Sequence, residues 1–211
     1  PFAFLNYLGK IFWPHHLTVG YPFLAQPPFW ITMGSCLLII VISMAILSAF
    51  NRYPYLLIGW LWYSITILPI IGIIPIGDPM ADRYIYLPSI GIGIMMAWGM
   101  PDLMENRNLR KKILLPAALI FFIFMSGLTW KQCGYWKNNF ILFSHALRVT
   151  KNNFMAHGHL GMALFEAGKA EEAMGHYQEA IRVKPNYVNA YNNRGIAYAN
   201  LGRFRLAVED F

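Results

Sequence analysis

The chain has 211 residues, 57% of them hydrophobic and 13% charged, with a net charge of +7 and a mean hydropathy of +0.41. A soluble domain carries about 25% charged residues, so the composition excludes an ordinary water-soluble globule. Two cysteines, Cys36 and Cys133, exclude a disulfide scaffold and a cysteine-based zinc site, and the basic residues cap apolar runs instead of forming a phosphate-tracking stripe, which excludes nucleic acid as a partner.

Charge is unevenly placed. Residues 1–130 hold eleven charged side chains and residues 131–211 hold sixteen. The pattern predicts a membrane region over 1–130, a connector over 131–153 and a water-exposed region over 154–211. The chain opens on Pro1 and stops at Phe211 with no signal-peptide pattern, and it reads as an interior piece of a longer protein.

A bilayer-spanning helix needs about 20 mostly apolar residues. Four uncharged runs meet or approach that length: 30–50, 55–76, 84–100 and 113–130. None shows the polar stripe of a surface helix. Trp30, Trp60, Trp62, Trp98 and Trp130 lie near the ends of these runs, where aromatic rings prefer the headgroup level. Pro69, Pro75, Pro88 and Pro116 fall in or beside them. A proline frees a backbone carbonyl that neighbouring helices must satisfy, which favours a packed bundle over a simple anchor. Gly91 and Gly93 read as packing glycines, and Met95 and Met96 as filler. The turn with Arg52 and the loop with Arg107, Arg110, Lys111 and Lys112 fall on one side of a four-span alternation. The positive-inside rule makes that side cytoplasmic. Residues 1–29, residues 77–83 and everything after Trp130 then face the opposite side.

Periodicity changes after residue 150. Leu160, Gly161, Ala173, Tyr177, Ala180 and Pro185 fall at the spacings of the 34-residue tetratricopeptide pattern. Gly195, Tyr198, Ala207 and Phe211 repeat it 34 residues on, with Arg194 where the first unit has Leu160. One unit spans 154–187 and a second, truncated, spans 188–211. Asn139 to Val149 reads as the second helix of a degenerate earlier unit. The expected fold class is all-α: a polytopic transmembrane helix bundle followed by a tetratricopeptide-repeat α-solenoid. Such a solenoid offers a concave face to extended peptides, and Asn189, Asn192, Asn193 and Asn200 are candidates to line it.

One loop between spans carries ionisable residues on the outer side: Asp78, Asp82 and Arg83, followed by Tyr84 and Tyr86. Charge alone leaves two readings open. Arg83 either anchors the span at the interface or contacts a phosphate through its forked guanidinium, with Asp82 orienting it. The run Ala81 to Gly91 (Ala-Asp-Arg-Tyr-Ile-Tyr-Leu-Pro-Ser-Ile-Gly) resembles a motif of the transmembrane-and-tetratricopeptide O-mannosyltransferase family. Trp13-Pro14-His15-His16-Leu17 with Tyr21 is similar to an outer loop of the same family. The resemblance implies a polytopic GT-C-type glycosyltransferase acting on the non-cytoplasmic side. It implies a polyprenyl-phosphate-linked sugar as donor substrate, mannose in the animal members, and a protein acceptor. The repeats are expected to hold that acceptor or a partner, and no cofactor is assigned, a divalent metal for the donor being left open. Asp82, Arg83, Tyr84 and Tyr86 become the donor-side candidates. That family's catalytic acid lies upstream of the residues matched here, so no catalytic residue is assigned. A bacterial relative is expected, in the inner membrane with periplasmic repeats, the alternative being an endoplasmic reticulum membrane with lumenal repeats.

A non-catalytic membrane-anchored scaffold is the competing function. A transporter is less favoured, since no charged residue lies mid-span. No metal site is expected. His15 and His16 are adjacent, His157 and His159 lie on different faces of one helix, and His145 and His176 fall in separate helices.

Overall fold

The computed structural model describes residues 1–14, 17–22, 27–69, 82–102 and 107–211; side chains of 107–111 are outside the description. Ten α-helices are present among these residues. In chain order they are α1 (Phe2–Phe12), α2 (Phe29–Ser48), α3 (Pro54–Ile67), α4 (Tyr86–Asp102), α5 (Arg107–Cys133), α6 (Asn139–Val149), α7 (Phe154–Glu166), α8 (Ala170–Val183), α9 (Val188–Asn200) and α10 (Phe204–Asp210). Their contacts define two compact units, one of Pro1–His15 and Leu24–Trp130, the other of His16–Phe23 and Lys131–Phe211. The chain is therefore all-α, but its first loop belongs to the second unit.

Among the described residues, two helical stretches are long and apolar enough to cross a bilayer: Phe29–Ser48 in the first unit, and Lys112–Trp136, most of which lies in it. At the other two expected spans the described helices are shorter. α3 has 14 residues, about 21 Å of helix at 1.5 Å per residue. α4 has 17 residues. The end of the run expected over 55–76 lies outside the described residues. A polytopic bundle is thus not established by length.

α3 and α4 pack closely because each offers a glycine to the other. A Cβ on Gly59 would collide with the carbonyl oxygen of Gly91, and one on Gly91 with that of Gly59. Small residues at a crossing let two backbones meet in this way. Gly93, expected to share the role, faces open space, whereas Met95 packs against Gly59. Trp60 also departs from expectation. It is buried at 5% exposure, donates to Ser43 Oγ at 2.9 Å and stacks on Tyr63. An indole whose N–H finds a partner inside a bundle has no need of the headgroup level. Trp130, by contrast, is 84% exposed.

The second unit is built by the 34-residue period. α7 and α8 form one antiparallel pair, and α9 and α10 form the next. Tyr177 lies on Gly161, where a Cβ would fall 2.6 Å from the ring; Phe211 lies on Gly195, where the distance is 2.9 Å. Ala173, Ala180 and Ala207 are buried where the helices touch. Leu160, Leu164, Ala173, Met174, Tyr177 and Ala197 form one core, against which Tyr198 packs. Gly168 and Gly202 close the first helix of each pair at φ +79° and +73°. Such backbone favours glycine, and Lys169 N–H to Leu164 C=O and Arg203 N–H to Tyr198 C=O complete matching turns. Pro185 sits exposed after α8, where its missing N–H costs nothing.

Candidate functional site

The candidate outer motif is a short 3-10 turn, Asp82–Ile85, running directly into α4. Asp82 accepts a hydrogen bond from Lys10 Nζ of α1 at 2.8 Å. The two side chains are 14% and 9% exposed, so this is a nearly buried ion pair between positions 72 residues apart. The sequence offers Arg83 as the group Asp82 orients; the structure adds Lys10 as its partner. Arg83 is exposed, its guanidinium 5.1 Å from the centre of the Tyr84 ring and its Nη2 3.4 Å from Tyr84 Oη. Tyr86 is 75% exposed. Below the motif, Trp62 of α3 donates to the Leu87 carbonyl at 2.9 Å and Pro88 is buried. The turn is thereby held to α1 through an ion pair and to α3 through an indole, with a cation and two phenols at its rim. Such a rim suits an anionic group that must be bound without deep burial. Asp78 and residues 77–81 lie outside the described residues, as do His15 and His16.

The second surface belongs to the repeats. On α9, Asn189, Asn192 and Asn200 are exposed and Asn193 is half-buried. Arg194, at the position of Leu160 in the preceding unit, makes a two-pronged bond to Asp210, 2.8 Å from Nε and 2.6 Å from Nη2. An ion pair thus replaces an apolar contact at that step of the array.

Residues 17–22 are tied to this second unit. The Leu17 carbonyl lies 3.1 Å from His145 Nε2 on α6, and the His145 ring stacks on Tyr135 with centres 3.7 Å apart. The Gly20 carbonyl accepts from Asn153 Nδ2 at 3.1 Å. Asn153, 1% exposed, also caps α7 by accepting from the Ala156 N–H. The sequence held no pointer to these long-range ties. Nor did it point to the meeting of His157 and His176, whose Nδ1 atoms are 3.0 Å apart.

Comparison with known proteins supports the repeats and a family relationship. Residues 161–202 match the family described as TPR repeat. Over 165 residues the chain is 28% identical to "Protein O-mannosyl-transferase Tmtc3" of Drosophila melanogaster, covering 77% of this chain and 18% of that protein. It is 32% identical to "Protein O-mannosyl-transferase Tmtc2" of Drosophila melanogaster, over 70% of this chain and 16% of the relative. The human "Protein O-mannosyl-transferase TMTC3" is 30% identical over 65% of this chain and 15% of its own length. The chain is a tetratricopeptide-repeat protein related to the O-mannosyl-transferases. It spans less than a fifth of the length of these curated relatives. They are animal proteins, and they lend no support to the bacterial inner membrane expected from sequence.

Proposed function

We propose that this chain is a membrane-anchored tetratricopeptide module that holds extended polypeptide beside the non-cytoplasmic face of a eukaryotic membrane. The observation that carries the reading is the repeat packing: Tyr177 on Gly161 and Phe211 on Gly195 each lock one helix pair, and Ala197 of α9 joins the core of α7 and α8, so that successive pairs stack as in solenoids whose surfaces hold extended peptides. The membrane part rests on the apolar, outward-facing helices α2 and α5. The side rests on the Arg/Lys-rich loop at 107–112, cytoplasmic by the positive-inside rule, together with parity. Residues 17–22 precede α2 and bond to His145 and Asn153, which follow α5. Both ends of the α2–α5 stretch then share a side, and the chain between them crosses an even number of times. Four spans satisfy this, with Asp82 and Arg83 on the repeat side.

The test uses the full chain in lipid nanodiscs and a panel of unstructured Ser/Thr-rich peptides. Some peptides should bind, and Asn192→Ala with Asn193→Ala should weaken them several-fold without loss of helicity. Failure of every peptide to bind would overturn the reading.

A second reading is favoured by the Lys10–Asp82–Arg83 cluster and by the names of the relatives: transfer of a sugar, mannose in the first instance, from a polyprenyl-phosphate donor to a protein held by the repeats, within a longer chain. Arg83 then meets the donor phosphate. Lys keeps the charge and loses the fork, so Arg83→Lys should retain part of the transfer and Arg83→Ala less. Equal transfer by all three, at equal membrane abundance in the full-length protein, would remove Arg83 from that role.

A further inference from the structure

His157 on α7 and His176 on α8 face each other across the helix pair. Their Nδ1 atoms are 3.0 Å apart and their ring centres 5.3 Å apart, a difference that the two ring radii account for. Each nitrogen therefore points straight at the other. A metal ion would need both lone pairs to converge on a third point, about 2.0–2.1 Å from each nitrogen and off the line between the rings. Among the described residues no third His, Cys, Asp or Glu joins them in a metal-holding group. Two nitrogens meeting head-on leave room for one hydrogen: one ring donates Nδ1–H and the other accepts.

We propose that His157 and His176 form a proton-operated clasp that holds α7 to α8 at neutral pH and releases them in mild acid. The pair has three states. With both rings neutral, the Nδ1–H···Nδ1 bond is intact. The first added proton goes to the outer nitrogen of the donor ring, and the resulting imidazolium donates a charge-assisted bond, so the contact survives. A second proton has to enter at the accepting Nδ1. Two N–H groups would then face each other within the same 3.0 Å, each on a cation. The helices must separate, or the rings must swing apart.

The surroundings set where this occurs. Burial lowers both histidines below their usual value, and the His176 charge opposes the charging of His157. Three charged groups of α8 also act on the pair: Glu179 favours and Arg182 opposes a charged His157, and Glu172 favours a charged His176. Glu179 is itself bound by Arg182, and Glu172 by Lys169. On the other side of α7, the α6 residue Phe143 stacks on His159, while His145 is engaged with Tyr135 and Leu17. From α9, Arg194 is committed to Asp210. In the separated helices both rings regain their ordinary affinity near pH 6.5. Opening therefore takes up protons below pH 6.5: the closed pair is favoured above that value and loses ground as pH falls.

Hydrogen exchange of α7 and α8 amides in the full chain, in nanodiscs, reads this directly. Rates at pH 7.5, 6.5 and 5.5 are corrected for the intrinsic pH dependence of exchange. Below pH 6.5 the opening constant should rise by up to about tenfold per pH unit for each proton taken up. His157→Asn and His176→Asn, each keeping a polar atom near the lost Nδ1, should flatten that slope whatever they do to the absolute protection. In the unsubstituted protein, ring nitrogen-15 shifts should resolve two separated titration steps shared by the pair. A slope identical in all three proteins, or two rings titrating independently near pH 6.5, would overturn the clasp.

Discussion

The two units solve the same packing problem with opposite faces outward. In the repeat unit, Leu160, Leu164 and Tyr177 are buried, and Glu171, Glu172 and Arg182 face out. In the first unit, Leu37, Leu115, Phe122 and Ile123 face out. The interior there is made by Tyr63, Ile92 and the facing glycines of α3 and α4. Water outside rewards apolar burial. Lipid outside does not, so close approach of backbones and satisfied polar groups carry the packing. Glycine marks the tightest contacts in both units. In the repeats it makes room for an aromatic ring, and between α3 and α4 it makes room for a backbone.

The largest expected effect tests the polar half of that contrast. Asp82→Ala leaves Lys10 nearly buried without this partner, which should cost about 3–5 kcal/mol of stability in the first unit. Replacing both, Lys10→Met with Asp82→Leu, should recover most of the loss. Thermal unfolding in nanodiscs compares the three proteins, and a silent Asp82→Ala would show that the pair carries no weight.

Gly161→Leu should be next. The added side chain meets the Tyr177 ring, and overpacking of this kind costs about 1–3 kcal/mol or more. The repeat region should become protease-sensitive while α2 and α5 still insert. Unchanged resistance would contradict the register of the repeats.

Asn153→Ala removes a helix cap and the donor to the Gly20 carbonyl together. A cap alone is worth about 0.5–2 kcal/mol. Residues 17–22 should also gain exchange that Asn153→Asp, which keeps the cap acceptor, isolates as the Gly20 contribution. The smallest effect is one of pH. Burial, with Glu166 adding to it, pushes the Tyr177 hydroxyl up to about 12. An unfolded tyrosine ionises near pH 10, so its contribution is fully present below pH 10 and is lost as pH rises toward 12. Tyr177→Phe should remove that part of the alkaline decline.

Legibility in the sequence followed the range of the interaction. α7 begins at Phe154 and α9 at Val188, where the 34-residue period puts them, because each small or aromatic position answers a neighbour one turn or one helix away. Apolar runs announced α2 and α5 by composition alone. Lys10–Asp82, His145–Leu17 and Asn153–Gly20 join positions 72, 128 and 133 residues apart, and no periodicity links such pairs. His157 and His176 are only 19 apart, yet they meet because α7 and α8 run antiparallel, not through a helical spacing. Trp60 was misplaced for a related reason: its position near a run's end said headgroup, while Ser43 supplied a partner inside.

The most direct test of the account is the side of the membrane on which the motif and the repeats stand. With Cys36 and Cys133 replaced by Ser, single cysteines at Arg52, Tyr86, Asp102 and Asn200 can be labelled in sealed, oriented vesicles by an impermeant maleimide. The account predicts that Tyr86→Cys and Asn200→Cys label from one side, and Arg52→Cys and Asp102→Cys from the other. Labelling of Tyr86→Cys together with Arg52→Cys would reduce the spans to α2 and α5, take the Asp82–Arg83 turn away from the repeats, and contradict the four-span arrangement.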